Sequence, residues 1–300
     1  MHSSLIFVII TLDVALPNGN LRRNNPPEEC LVTLTQTPPT PPASRGESIQ
    51  NPLPKGAFRM KYEEQLALVP WPFKNYWKTL AERNRYYNHE FMQAFGDGLE
   101  NEPVLEAGCG ESSDLTRREK KMHHLVGIDP LPDDILKNEG LKFKTLGVLE
   151  DLPFCDEYFA GYYSDSVYEH IDDPSKCCNE AFRVLKPGGK ILINTNSVFN
   201  PFMFPNKFLS IKWRERLKRS AKIQSEGTFR APYKINTARR LKKYLREAGF
   251  VDIQIYRWGV PSMYKPKWVL FLLLCMELLG ETPMFCGLKH RLMATARKPA

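Results

Sequence analysis

Hydrophobic spacing divides the chain into three stretches of different character. Residues 57–102 concentrate aromatic side chains, among them Trp71, Phe73, Tyr76, Trp77, Phe91 and Phe95, and residues 74–95 contain neither Gly nor Pro. That stretch predicts an N-terminal helical extension of one or two helices packed on the domain C-terminal to it. From Pro103 onward, short apolar runs alternate with helical spacing. Residues 103–107, 124–129, 141–146, 158–164 and 190–195 predict five strands, and 251–258 and 287–296 two more. Cys178, Ala181, Phe182 and Leu185 fall at i, i+3, i+4 and i+7 behind Asp173, a good N-cap, and Pro174, so a helix is expected that runs to Pro187-Gly188-Gly189. Leu241, Tyr244, Leu245 and Ala248 repeat the stripe between Thr237 and Gly249. Strands alternating with helices predict an α/β, doubly wound and mostly parallel sheet over residues 103–300.

The third stretch, residues 1–56, is expected to be a disordered Pro-rich tail, with Pro38-Pro39-Thr40-Pro41-Pro42 as its clearest part. The apolar run at residues 5–10 makes a poor signal-peptide core. No Lys or Arg precedes it, and Asp13 interrupts it.

Charge sharpens this division. The 300 residues carry a net +8, but residues 196–300 hold 21 Lys+Arg against 6 Asp+Glu, net +15, which leaves residues 1–195 at net −7. Such asymmetry usually marks two functional surfaces. Seven cysteines without any C-x-x-C pair indicate neither a disulfide framework nor a zinc site, and reduced thiols in a cytoplasmic protein are expected.

The candidate chemistry begins where the first strand runs into Glu106-Ala107-Gly108-Cys109-Gly110. Two glycines in a strand-to-helix turn let backbone approach a ligand and leave amide N–H groups exposed. Asp129, 19 residues past Gly110, ends the next strand, where an acidic side chain accepts both hydroxyls of a ribose. His170 lies just past the fourth strand, on the rim where open α/β sheets bind ligands, and is the candidate general base.

These residues resemble the class I S-adenosylmethionine-dependent methyltransferases, in particular the type-11 group of small-molecule, quinone- and sterol-type enzymes. Glu106 to Gly110 is similar to their first motif and Gly127-Ile128-Asp129 to their second. Residues 149–154 resemble the adenine-side turn, 164–170 the end of the fourth strand, and 183–189 the turn into the fifth. The resemblance implies a Rossmann-like seven-stranded sheet with the last strand antiparallel, and S-adenosyl-L-methionine as cofactor. It implies that Glu106 faces the methionine end, Gly108 and Gly110 pass under the cofactor, and Asp129 holds the ribose. Leu149 and Glu150 would flank the adenine, and Asp165 would join the cofactor site. Ser112 stands where many members have a third glycine, and Val148 where many have an acid.

Two connections, residues 196–236 and 259–285, are expected to form helical substrate-cap insertions. The first carries Phe199, Phe202, Phe204, Phe208 and Trp213 with a run of Lys and Arg; the second carries nine consecutive apolar residues from Trp268 to Met276. That run is too short to span a bilayer, which takes about 20 residues. A small-molecule acceptor, acidic or lipid-like, is expected, with peripheral contact to a membrane as a corollary. No nucleic-acid-binding motif accompanies the basic residues, so nucleic acid is not the expected partner. The competing readings are a nicotinamide-dependent enzyme, a non-catalytic scaffold of the same fold, and methylation of a nucleic acid or protein through the basic half. There is no H-E-x-x-H, G-x-S-x-G or Walker A sequence.

Overall fold

The computed structural model describes residues 66–113, 115, 122–199, 231–259 and 267–300. The expected tail, most of the first cap insertion and part of the second lie outside these residues. A short 3₁₀ turn, Trp71–Phe73, leads into helix α1, Lys74–Gly96. Next along the chain are β1 (Pro103–Ala107), β2 (His124–Asp129), α2 (Pro132–Lys137), β3 (Phe143–Leu146), β4 (Phe159–Asp165), α3 (Pro174–Val184) and β5 (Leu185–Asn196). After the cap connection come α4 (Ala238–Glu247), β6 (Val251–Trp258), α5 (Lys267–Leu279), a 3₁₀ segment Pro283–Leu288, and β7 (Arg291–Arg297).

The seven strands form one sheet in the order β3-β2-β1-β4-β5-β7-β6, with β7 antiparallel to both neighbours and the others parallel. This is the seven-stranded architecture expected. Strands with both faces covered need near-continuous apolar runs. Accordingly Leu105, Tyr162, Ile191 and Ile193 join α3 and α4 on one side, while Val104, Leu125, Tyr163 and Leu192 meet α1 on the other. Phe73, Trp77, Leu80 and Asn84 are buried at steps of four, three and four residues, and Met92 and Phe95 at a further step of three. From Lys74 onward the aromatic stretch is one long helix, and residues 66–68 are helical as well, ahead of the 3₁₀ turn.

Local rules set the helix ends. Asp173 and Thr237 accept hydrogen bonds from the backbone N–H groups of Lys176 (3.1 Å) and Arg240 (3.2 Å), as N-caps should. Gly249, at φ +106°, closes α4 with paired bonds, its N–H to Arg246 O and that of Phe250 to Leu245 O. Two boundaries differ from expectation. Helix α3 stops at Val184 and β5 begins at once with Leu185, because the Pro187-Gly188-Gly189 turn pairs with Lys298 as part of the sheet. Strand β7 starts at Arg291 and not Gly287, because residues 283–288 coil into the 3₁₀ segment.

Cys109, Cys177, Cys178, Cys275 and Cys286 are free thiols. Cys155 is disulfide-bonded, contrary to the reduced state expected.

Candidate active site

Parallel β1, β2, β4 and β5 end at one edge of the sheet, and chain direction across the sheet reverses between β1 and β4. Crevices at such switch points are where open α/β sheets bind ligands. Glu106, Asp129, Asp165 and the turn after β3 all stand along this edge.

The glycine turn is held from below. The N–H groups of Gly108 and Cys109 donate to Ile128 O at 2.7 and 3.1 Å, and Asn138 Nδ2 donates to the carbonyls of Cys109 and Gly110 at 3.2 and 2.9 Å. Gly108 has φ +78°, and a Cβ there would lie 2.1 Å from Val167 Cγ2, so nothing larger fits. Gly110 has φ +52°, but a Cβ there would meet nothing within 4 Å. Open space thus lies over the second glycine.

Asp129 borders that space. Its Oδ2 accepts the Gly110 N–H at 2.9 Å and its Oδ1 the Leu131 N–H at 3.0 Å. Each oxygen keeps a further lone pair for a hydroxyl donor. Burial pushes the carboxyl above its usual range, against the two amide bonds that hold it down. Glu106 is buried and spoken for: Ser113 Oγ donates to one oxygen and the Leu115 N–H to the other, at 3.1 Å. It anchors the start of the segment after the glycine turn. Burial, with Asp129 and Glu106 nearby, pushes the Cys109 thiol up to about 12, so it is no nucleophile.

The other expected positions are more varied. Leu149 is 3% exposed and its side chain packs in the core. Glu150 Oε1 accepts the N–H groups of Asp172 and Asp173 at 3.2 and 3.4 Å, tying the turn after β3 to the start of α3. Val148 and Ser112 are exposed. Asp165 pairs with Arg291 and also accepts from Ser166 Oγ (2.8 Å) and Asn194 Nδ2 (3.1 Å), while Ser166 takes a left-handed φ of +62°. His170 is exposed on the rim beyond β4.

Several residues that order this edge of the sheet carried no sequence signal. Asn138 reads as a loop asparagine, and Arg291 as one cation among many in the basic half. Glu169 is buried and accepts from Thr195 Oγ1 at 2.6 Å and Asn196 Nδ2 at 2.5 Å, while Asn236 bonds both Thr195 and Asn196. This network pins both ends of the first cap connection to the β4 edge. Among the described residues no cluster of His, Cys, Asp and Glu could hold a metal, and no helix is long and apolar enough to cross a membrane.

The strand order, the glycine turn and the paired acid on β2 define a nucleotide-type cofactor site of the class I methyltransferase kind. Comparison with known proteins agrees. A family model described as a methyltransferase domain matches residues 105–193. An uncharacterized protein of Methanocaldococcus jannaschii is 30% identical over 183 residues, 60% of this chain and 80% of its own length. The chloroplastic 2-methyl-6-phytyl-1,4-hydroquinone methyltransferase of Arabidopsis thaliana is 31% identical over 153 residues, 49% of this chain but 37% of its own length. Among solved structures, Haemonchus contortus phosphoethanolamine N-methyltransferase 2 with S-adenosyl-L-methionine superposes at TM-score 0.48 and 15% identity, covering 72% of this chain and 53% of that one. The chain belongs to the class I S-adenosylmethionine-dependent methyltransferases, and S-adenosylmethionine is its cofactor.

Proposed function

We propose that the protein transfers a methyl group from S-adenosylmethionine to a small, largely apolar or lipid-like acceptor. The observation that carries this reading is the apolar character of the cap beside the cofactor edge. Phe199, just past β5, and Met284 and Phe285, just before β7, are exposed, and so are Phe271, Leu272, Leu278 and Leu279 on α5. Contiguous exposed apolar surface on a folded protein generally marks an interaction site. The hydroquinone acceptor in the name of the Arabidopsis relative fits such a surface.

The glycine turn and Asp129 fit the cofactor, because Gly110 leaves room and Asp129 keeps free lone pairs beside it. Bound there, S-adenosylmethionine supplies an activated methyl group for in-line displacement. The turn, Asp129 and the backbone at Leu149 would hold it, with Glu106, Glu150 and Asp165 fixing the loops that shape the site. Orientation of donor and acceptor provides most of the acceleration in such a transfer. His170 would take the proton when the acceptor is a hydroxyl or a protonated amine, a contribution of about 10²–10⁴-fold.

Incubation with S-adenosylmethionine and an apolar metabolite extract, with mass spectrometry of the products, tests the reading. A product one methyl group heavier in the organic phase is expected. Methylation confined to protein, nucleic acid or strongly polar metabolites would overturn it.

A further inference from the structure

Helix α5 carries its polarity the wrong way round for a helix in water. Its one charged side chain between Trp268 and Gly280, Glu277, is 2% exposed and turned inward, where Lys289 Nζ lies 2.6 Å from its Oε1 and His290 Nδ1 2.5 Å from its Oε2. Lys289 also reaches Glu281, which Arg83 of α1 grips. Leu270, Leu273 and Leu274 are buried on this inward side. The opposite side has no polar residue: Leu272, Leu278 and Leu279 are about half exposed, and Cys275 and Met276 lie half-buried between them. A helix in water shows its charges and hides its apolar stripe, and one that is apolar all round is ordinarily covered all round. Here the protein covers only one side.

The bare surface continues toward the cofactor edge. The 3₁₀ segment after α5 adds Met284, 82% exposed, and Phe285, and then runs into β7 at that edge. A Cβ on Gly287 would lie 3.8 Å from the Phe199 ring, so the end of β5 borders the same surface. The chain that leaves and returns beside it is cationic. Residues 200–230 hold eight Lys+Arg against two Asp+Glu, net +6, and the residues flanking them are tied together at the edge, Val198 N–H to Asn236 O at 2.9 Å. Apolar surface beside positive charge matches an anionic lipid surface. A second copy of this chain fits worse, because a two-fold contact sets each patch against itself and brings net +6 against net +6. Crossing the bilayer is excluded by length, since α5 has 13 residues where a span takes about 20.

We propose that the outward side of α5 and the adjoining 3₁₀ segment dock on the surface of an anionic lipid bilayer and place the cofactor edge beside the lipid that holds the methyl acceptor; the proposal rests on the methyl-transfer reading above. Leu272, Leu278, Leu279 and Met284 enter the boundary between headgroups and acyl chains. Glu277 stays inside the protein with Lys289 and His290, so docking moves no charge out of water.

Flotation of the full-length protein with phosphatidylcholine vesicles, with and without phosphatidylserine, tests the proposal. Sedimentation equilibrium and calorimetry with S-adenosylmethionine run alongside. The wild type is expected to float with the phosphatidylserine vesicles and to sediment as a monomer without them. Leu272→Glu combined with Leu279→Glu should weaken vesicle binding about tenfold or more, because two apolar side chains of the docking side become charged. S-adenosylmethionine affinity should hold in that variant. Met284→Glu should weaken vesicle binding too, which keeps the test decisive if the double variant does not fold. Leu136→Glu, at an exposed leucine of α2, should float like the wild type. The proposal is wrong if the wild type binds S-adenosylmethionine yet floats with neither vesicle, if phosphatidylserine makes no difference, or if the substituted α5 and 3₁₀ variants float like the wild type. It is equally wrong if the wild type is a dimer that Leu272→Glu and Leu279→Glu split, which would make this face a contact between copies. Failure of S-adenosylmethionine itself to bind would instead overturn the methyl-transfer reading.

Discussion

The two glycines of the β1 turn carry different obligations, and substitution separates them. Gly108→Ala must both strain a φ of +78° and displace Val167, so it is expected to lower the melting temperature and abolish S-adenosylmethionine binding together. Gly110→Ala meets no protein atom within 4 Å, so its effect falls on the ligand: calorimetry should show cofactor affinity reduced tenfold or more while the melting temperature changes little. A similar loss of melting temperature in both variants would contradict this division. Asp129 adds a pH dependence. Its carboxyl titrates above the usual range because it is buried, and the ionised form is the better acceptor for hydroxyl donors. Affinity for S-adenosylmethionine is therefore expected to fall as pH drops through that raised value, earlier than an ordinary aspartate would allow. Calorimetry over a pH series checks it, and Asp129→Asn should flatten the profile. Glu106, Gly108, Gly110 and Asp129 were legible in the sequence because strand-turn spacing dictates their place. Asn138 and Arg291 were not, since only the fold brings them to the turn and to Asp165.

Helix α5 shows how an element can read one way in sequence and act another way in the structure. Its unbroken apolar run hides a sided helix: Leu270 and Leu274 pack on Trp77 and Phe73, Leu272 faces outward, and Phe271 sits at the border, partly exposed and edge-on to Phe73. Trp77 is fully buried at that joint, and Trp77→Ala is expected to cost about 3–5 kcal/mol in chemical denaturation. The joint is also acid-sensitive. Burial raises the Glu281 carboxyl, but hydrogen bonds and charge from Arg83 and Lys289 outweigh it and bring it down to about 2. A carboxyl depressed by folding stabilises above its unfolded value near 4.5, and that contribution is lost as pH falls toward 2. Denaturation midpoints should therefore drop between pH 4.5 and 2 in the wild type and drop less in Glu281→Gln. The strands and capped helices were readable from periodicity and N-cap chemistry, as Asp173 and Thr237 show. The 3₁₀ segment before β7 was not, because residues 283–288 carry apolar residues that suit strand and coil alike. Nor was the ion cluster, in which Arg83 and Glu281 lie 198 residues apart in the chain.

For the whole molecule, the charge division gains a physical meaning. The acidic half contains the cofactor turn, and the basic half contains the cap and the exposed apolar side chains of α5. A lipid-like acceptor delivered from a membrane suits that pairing of apolar face and positive charge. Flotation with anionic vesicles should carry the wild type upward, and the double substitution Phe271→Ser, Leu272→Ser should remain at the bottom while keeping S-adenosylmethionine affinity. The most direct test of the account is transfer of label from methyl-labelled S-adenosylmethionine by the purified protein in the presence of an apolar extract. Label in the organic phase with the wild type, and none with Asp129→Ala, is the expected result. Organic-phase label that is undiminished in Asp129→Ala, or a wild type that binds S-adenosylmethionine yet labels only aqueous or macromolecular fractions, would contradict it.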